Sequence, residues 1–217
     1  MHDFHYDDQI IIKMKISDDI LLRPLQLGDA SDIYQTIDSQ REYLRRWLPF
    51  VDSTQSLQFT QEFVFYSLKT GDKVFTIREC DQFIGLIGFK STDKENCKTE
   101  IGYWLSQYHQ GRGIMSLAVE QLCQYAFEDQ GINRIQIKCA VGNIPSSNIP
   151  KRLGFKFECI EREGELFTDG SFADLEVYSL LKRNINRECN PPCVKVLCSI
   201  LMLGLKFGIV SMHFKYV

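Results

Sequence analysis

The sequence predicts a mixed α/β domain, with a central, mostly antiparallel sheet flanked by helices. Two observations carry that expectation. Short β-rich runs at residues 74–78, 83–89 and 101–105 are divided by polar clusters at 79–82 and 91–99, the pattern of an antiparallel meander. Directly after them, residues 113–127 place Ile114, Ala118, Leu122, Tyr125 and Ala126 at helical spacing. The order is neither that of a doubly wound sheet nor that of an all-β sandwich. At 217 residues, 44% hydrophobic and 24% charged, the chain suits one soluble domain with a substantial core.

The remaining elements follow in order. Runs 10–16 and 20–25 read as two strands around the polar turn Ser17, Asp18 and Asp19, with Pro24 confining the second to an edge or an end. Asp29 is placed to cap a helix through Ile33 and Ile37. Residues 43–48 suggest a short helix stopped by Pro49, and Thr54 opens another carrying Phe59, Phe63 and Tyr66. Ile135, Ile137 and Cys139 alternate with Arg134, Gln136 and Lys138, giving a strand with one wet face. A short helix at 147–153 and strands at 155–163 and 172–181 complete the domain, and there is no repeat or low-complexity segment.

A net charge of -3 gives no electrostatic footprint for nucleic acid. Cys80, Cys97, Cys123, Cys139 and Cys159 sit singly among apolar residues and read as small buried hydrophobes. The polar, acidic start lacks a signal-peptide pattern, so a reducing, cytoplasmic setting with free thiols is expected. Cys189, Cys193 and Cys198 lack zinc-ligand spacing, and no metal site is expected. The domain is taken as residues 8–183. The tail 184–217 has an apolar stretch at 194–210, interrupted by Lys195, Lys206 and two glycines, which makes a poor transmembrane helix. An added strand, a homodimer contact, an interfacial anchor and an unordered tail all stay open for it.

The sharpest chemical feature runs from Trp104 to Met115. A strand enters the loop Gln110-Gly111-Arg112-Gly113, which opens directly into a helix. Free N–H groups at such a helix start, aided by the helix dipole, attract phosphate oxygens. Gly111 and Gly113 permit close backbone approach, and Arg112 can add positive charge; a tight turn that binds nothing is the alternative. Ser116 stands where a dinucleotide fingerprint needs its third glycine, and no P-loop Gly-Lys-Ser/Thr occurs.

With Gln110-x-x-Gly113, the loop resembles the Gln/Arg-x-x-Gly-x-Gly/Ala coenzyme A loop of the GNAT N-acetyltransferases, Met115 departing from the last Gly/Ala. Asn143-Ile-Pro-Ser146, followed by Leu153-Gly154-Phe155, is similar to the Asn-x-x-Ser…Gly-Phe signature of the ribosomal-protein N-acetyltransferase branch. Leu22-Arg23-Pro24 and the stretch from Leu44 to Pro49 fit that branch too. The resemblance covers roughly residues 20–183. It implies a sheet splayed between its fourth and fifth core strands, here 101–105 and 134–139, with acetyl-CoA as co-substrate. The pantetheine arm would pair with the backbone of Tyr103, Trp104 and Leu105, and the pyrophosphate would lie on Gln110, Gly111, Arg112, Gly113, Ile114 and Met115. Asn143 would position the coenzyme. The Ser146 hydroxyl would serve the leaving thiolate, although a helix cap is its plain alternative, and a sharing of the two roles with Ser147 stays open.

The resemblance also implies a catalytic carboxylate at Glu165, while the period-two series Glu161, Glu163, Glu165 equally fits the wet face of a hairpin. Asp174 reads as structural, and His109 as a loop residue rather than a base. The acceptor is expected to be a primary amine. An α-amine with a pKa near ~7.7–8.0 costs about 1 kcal/mol to deprotonate at pH 7, and a lysine amine near ~10.4 roughly 4–5 kcal/mol. A carboxylate acting through water is therefore enough for a protein N-terminus, ribosomal proteins leading by resemblance. Polyamines or other small amines, and a non-catalytic acyl-CoA sensor, are the rivals.

Overall fold

The computed structural model describes residues 14–71 and 73–185. Its eight strands form one sheet in the order β1-β2-β3-β4-β5-β6-β8-β7. The hairpin of β1 (Met14–Lys15) and β2 (Ile20–Pro24) matches the one expected, although most of the 10–16 run lies outside the described residues. Pro24 ends β2, where its missing N–H costs no interior ladder bond. The meander continues through β3 (Val74–Glu79), β4 (Gln82–Asp93) and β5 (Lys98–Leu105), all antiparallel. The last two strands outrun their expected bounds because the polar 91–99 stretch folds back on itself. Asp93 pairs with Lys98 past an irregularity that carries Ser91 at φ 48°.

Between β2 and β3, a single 3-10 turn at Leu27–Asp29 leads into α1 (Ala30–Ser39), which buries Ala30, Ile33 and Ile37. Short α2 (Arg41–Leu44) and α3 (Phe50–Ser53) precede α4 (Leu57–Thr70), which stops at Gly71 in the left-handed region, φ 74°. Two expectations are corrected here. Asp29 occupies the cap position of α1 but makes no cap bond. Its carboxylate turns instead to the Arg23 and Arg78 guanidinium groups and to the Gln26 N–H (2.7 Å). Being 3% exposed, Asp29 requires those cations, since a buried carboxylate without a partner is far costlier than a lost cap. Thr54 does not open α4; it closes α3, donating its hydroxyl to the Phe50 carbonyl at 2.8 Å.

After β5 come α5 (Ile114–Glu128), β6 (Arg134–Ala140), α6 (Ile144–Arg152), β7 (Lys156–Leu166), β8 (Phe172–Leu181) and the closing turn α7 (Lys182–Ile185). Helices cover both faces of the sheet. Ile87, Ile101, Ala118, Leu122, Ile135 and Ile137 pack α5 on one face; Ile33, Ile37, Val64, Leu86 and Trp104 pack α1 and α4 on the other. Each such Leu or Ile contributes about 1.5–3 kcal/mol when fully buried. The expectation that five cysteines are buried holds for Cys123 and Cys139 only. Cys80 is exposed in the β3–β4 turn at φ 46°, Cys159 on the edge strand β7, and Cys97 is half-buried in the β4–β5 turn. Turns and sheet edges lack a second layer to cover them.

One junction departs from the antiparallel rule. β5 and β6 are parallel and pair only from Lys98–Arg134 to Glu100–Gln136. Beyond Glu100 the β6-facing edge of β5 has no strand partner among the described residues, while β6 runs on beside β8 to Ala140. The sheet is wedged open there.

Candidate active site

Two hollows meet in the wedge. On the α5 side lies a slot of about 300 Å³, roofed by Tyr43, Leu44, Trp47 and Leu48 and walled by the loop before α5. Beside it lies a cleft of about 780 Å³ that reaches out to α3 and α4. Trp47, Leu48, Tyr103, Trp104, Asn143 and Ser146 line both, so the two spaces share one boundary.

The slot's floor is built by the end of β5. The Ser106 N–H bonds the Ile84 carbonyl (2.8 Å), a 3-10 turn follows at Gln107–His109, and buried Gln40 accepts the Gln107 N–H at 2.9 Å. Gly111 and Gly113 then take φ 73° and 77°, a region that side-chain-bearing residues rarely adopt. A Cβ at either glycine would meet nothing within 4 Å. The N–H groups of Ile114, Met115 and Ser116 start the fifteen-residue α5 and have no carbonyl four residues back to bond. Open space in front of free N–H groups at a helix's positive end fits the pyrophosphate of coenzyme A. The side chains of Ile114 and Met115 are 3% and 7% exposed, packed into the core behind the loop. A flexible Met fills that space, which explains how the loop tolerates it.

The charges are arranged differently from the simple sequence picture. Arg112 turns to Glu79, its Nη1 bonding Oε2 at 2.9 Å with a second bond from Nη2, and does not line the slot. That guanidinium holds the Glu79 carboxyl below its ordinary range. His109 does line the slot, with Nε2 3.5 Å from Glu79 and Nδ1 without a partner among the described residues. The cation on the slot wall is Arg152, at the end of α6, whose Nη1 bonds the Ser116 Oγ at 2.6 Å beside the helix start. Sequence reasoning missed Arg152 and Gln40. Neither belongs to a motif, and only the packing of α6 and α1 brings them to the loop.

At the shared boundary, Asn143 caps α6 through its Oδ1, which accepts the Ser146 N–H at 3.3 Å. The helix therefore begins at Ile144, earlier than expected, and capping belongs to Asn143 rather than Ser146. Freed from that task, the Ser146 hydroxyl donates to the Tyr103 hydroxyl (3.3 Å) and lies 3.3 Å from the Cys139 Sγ. Tyr103 donates in turn to the Ser146 carbonyl at 3.2 Å. Burial pushes the Tyr103 phenol far above its ordinary range and raises the Cys139 thiol as well, so both stay protonated beside Ser146. Ser147 is buried, lines neither hollow, and accepts from Lys151 Nζ at 3.2 Å. Trp104 packs edge-on against Phe83 at 5.7 Å within the core.

Glu165 stands on β7 in the wall of the larger cleft, together with Ser146. The period-two reading of its neighbourhood is corrected by a bulge. Glu161 faces Leu175 and Glu165 faces Ala173, so four steps on β7 oppose two on β8. The slack is taken up at Glu163, φ 52°, whose N–H is held by Asp174 Oδ1 at 2.8 Å, a structural role for Asp174. Lys138 bonds Glu161 at 2.7 Å, which raises its ammonium above the ordinary range. The Glu165 carboxylate has no side-chain hydrogen bond or ion pair within 4 Å among the described residues, but it lies near enough to Lys138 to help raise that ammonium. No cluster of His, Cys, Asp and Glu that could hold a metal occurs among the described residues, and no described helix is long and apolar enough to cross a membrane.

A model of the GNAT acetyltransferase domain matches residues 19–156, more than half of the chain. The chain is 34% identical over 175 residues to a putative ribosomal N-acetyltransferase, YdaF, of Bacillus subtilis, covering 78% of this chain and 94% of that protein. It is 31% identical over 170 residues to the ribosomal-protein-serine acetyltransferase of Escherichia coli, covering 76% and 94%. Among solved structures, the ribosomal-protein α-N-acetyltransferase RimL in complex with coenzyme A superposes with a TM-score of 0.73. It has 24% identity over 78% of this chain and 97% of its own, a likeness of fold.

Proposed function

The chain belongs to the GNAT acetyltransferase family, and from that premise we propose that it acetylates the α-amine of a protein N-terminus, of the ribosomal-protein type. The observation that carries this reading is the shared boundary. A slot suited to the coenzyme and a wide cleft suited to a chain end meet at Tyr103 and Ser146, and Glu165 lines the cleft near Lys138. Two relatives, at 34% and 31% identity, bear ribosomal N-acetyltransferase and ribosomal-protein-serine acetyltransferase names.

Acetyl-CoA supplies an acetyl group activated as a thioester. In this reading the helix start at Ile114, Met115 and Ser116, with Arg152 beside it, holds the pyrophosphate, and Asn143 and the free edge of β5 from Tyr103 to Leu105 hold the pantetheine arm. A backbone N–H near Leu105 stabilises charge developing on the carbonyl oxygen. Ser146 gives a proton or hydrogen bond to the departing sulfur, and the protonated Tyr103 hydroxyl keeps Ser146 oriented. Glu165 accepts the amine proton through water. A terminal amine asks only about 1 kcal/mol of that carboxylate at pH 7, against roughly 4–5 kcal/mol for lysine. The unit that does this is assigned to residues 8–183, in a reducing cytoplasm consistent with the five free cysteines of the described residues.

The test is a turnover screen with acetyl-CoA across free-N-terminal peptides, polyamines and aminoglycosides, following thiol release. Peptides should lead. Glu165→Gln should lower kcat at neutral pH by roughly 100-fold or more. Exclusive turnover of polyamines, or unchanged kcat in the Gln variant, would overturn the acceptor or the base.

A further inference from the structure

The large cleft extends well beyond the space an amine needs. Its outer wall is aromatic: Phe50 of α3 and Phe59 and Phe63 of α4 line it and are 42%, 52% and 43% exposed. Phe59 and Phe63 are four residues apart and so share one face of α4, while Val64 anchors the helix in the core. Apolar rings gathered at the rim of a functional cleft mark a contact surface.

The sheet sets the scale. Tyr103 lies on β5, Gly88 of β4 pairs with Gly102 of β5, and Val74 of β3, which lines the cleft together with Phe59 and Phe63, pairs with Gly88. Two strand spacings separate β5 from β3, about 10 Å. An extended peptide covers at most ~3.3–3.6 Å per residue, so a chain whose amine sits at the Tyr103–Ser146 boundary reaches the aromatic wall with its third residue. A free amino acid stops short of it.

We propose that Phe50, Phe59 and Phe63 form a subsite for a large apolar side chain at the third residue of the acceptor, which makes the substrate an unfolded N-terminal peptide rather than a small amine. The inference rests on the N-terminal acceptor reading given above. Its surface is continuous with the transfer boundary, and burying exposed rings against Leu or Phe gives binding energy that Asp or Ser at the same place lacks.

The experiment compares peptides that differ only in the third residue, Leu or Phe against Ser or Asp, on the full-length protein. Leu and Phe peptides should show at least fivefold higher kcat/KM, carried by KM. In Phe59→Ala and Phe63→Ala, checked as folded by melting and by coenzyme A calorimetry, the ratio between the two classes should fall below twofold. Equal kcat/KM across the third residue in the unaltered protein, or a preference that survives both variants, overturns the subsite. Turnover of peptides without regard to the third residue sinks this inference alone. Turnover of small amines with no peptide accepted sinks the acceptor reading as well.

Discussion

Ser146 is held by contacts that suit proton donation more than helix capping. Its N–H is taken by Asn143, while its hydroxyl points to Tyr103 and Cys139, both kept neutral by burial. Ser146→Ala is expected to lower turnover by roughly 10- to 1000-fold, with coenzyme affinity changing far less. Steady-state kinetics beside calorimetry reads the difference; normal turnover with every accepted amine would leave Ser146 only a packing role. Tyr103 offers a pH-resolved test. Its phenol is raised in the folded state above the ordinary value near ~10, so its contribution to stability is complete below that pH and is lost as pH rises past it, where the unfolded chain gives up the proton first. Tyr103→Phe removes this group, and its melting temperature should therefore fall less steeply than the parent's between about pH 9.5 and 11. A parallel decline in both proteins would show that the phenol does not titrate as its burial requires.

At the scale of the element, the loop and α5 act as one unit. The glycines at 111 and 113 turn the chain through the left-handed region, so the free N–H groups of the helix start face open space. Gly113→Glu strains that turn and puts a negative charge where the pyrophosphate approaches. Coenzyme A affinity should drop more than tenfold while circular dichroism shows the fold intact, and a folded variant with unchanged affinity would refute the loop's role. The Glu79–Arg112 pair and the Gln40–Gln107 bond hold this loop from behind, against β3 and the end of α1. The bulge pinned by Asp174 works similarly on β7, keeping Glu161 and Glu165 on the ladder positions facing Leu175 and Ala173.

For the whole molecule, the question is which residues the working fold needs. The family match ends at residue 156, and the sheet, slot and cleft formed by the described residues draw on nothing after Leu181. A chain ending near Arg187 is expected to fold, bind coenzyme A and keep its activity. It should also be more soluble, because the apolar stretch 194–210 is removed. Thermal melting and size-exclusion chromatography of the two chains decide this. A large drop in melting temperature, or collapse of a dimer to an inactive monomer, would assign the tail to the working unit.

What the sequence determined by itself follows from local chemistry. Alternation in 135–139 and helical spacing in 113–127 specify which faces are buried, because burial repeats with the period of each backbone. The glycines before α5 were equally legible, since a turn involves residues only a few positions apart, whereas the cap of α6 reads as Ser146 in the sequence and is Asn143 in the fold. The meander and the mixed fold class follow from such pieces in order. Tertiary structure decided the rest. Asp29 looks like a cap until Arg78, far along the chain, arrives on β3 and captures it. Arg112 looks like a phosphate ligand until Glu79 claims it, and Arg152 takes the place on the slot wall. The regular alternation of Glu161, Glu163 and Glu165 gives way to a bulge that only β8 imposes. In each case two candidate partners lie far apart in sequence, and the choice depends on which charged or polar group burial brings close, an energy that no local pattern contains.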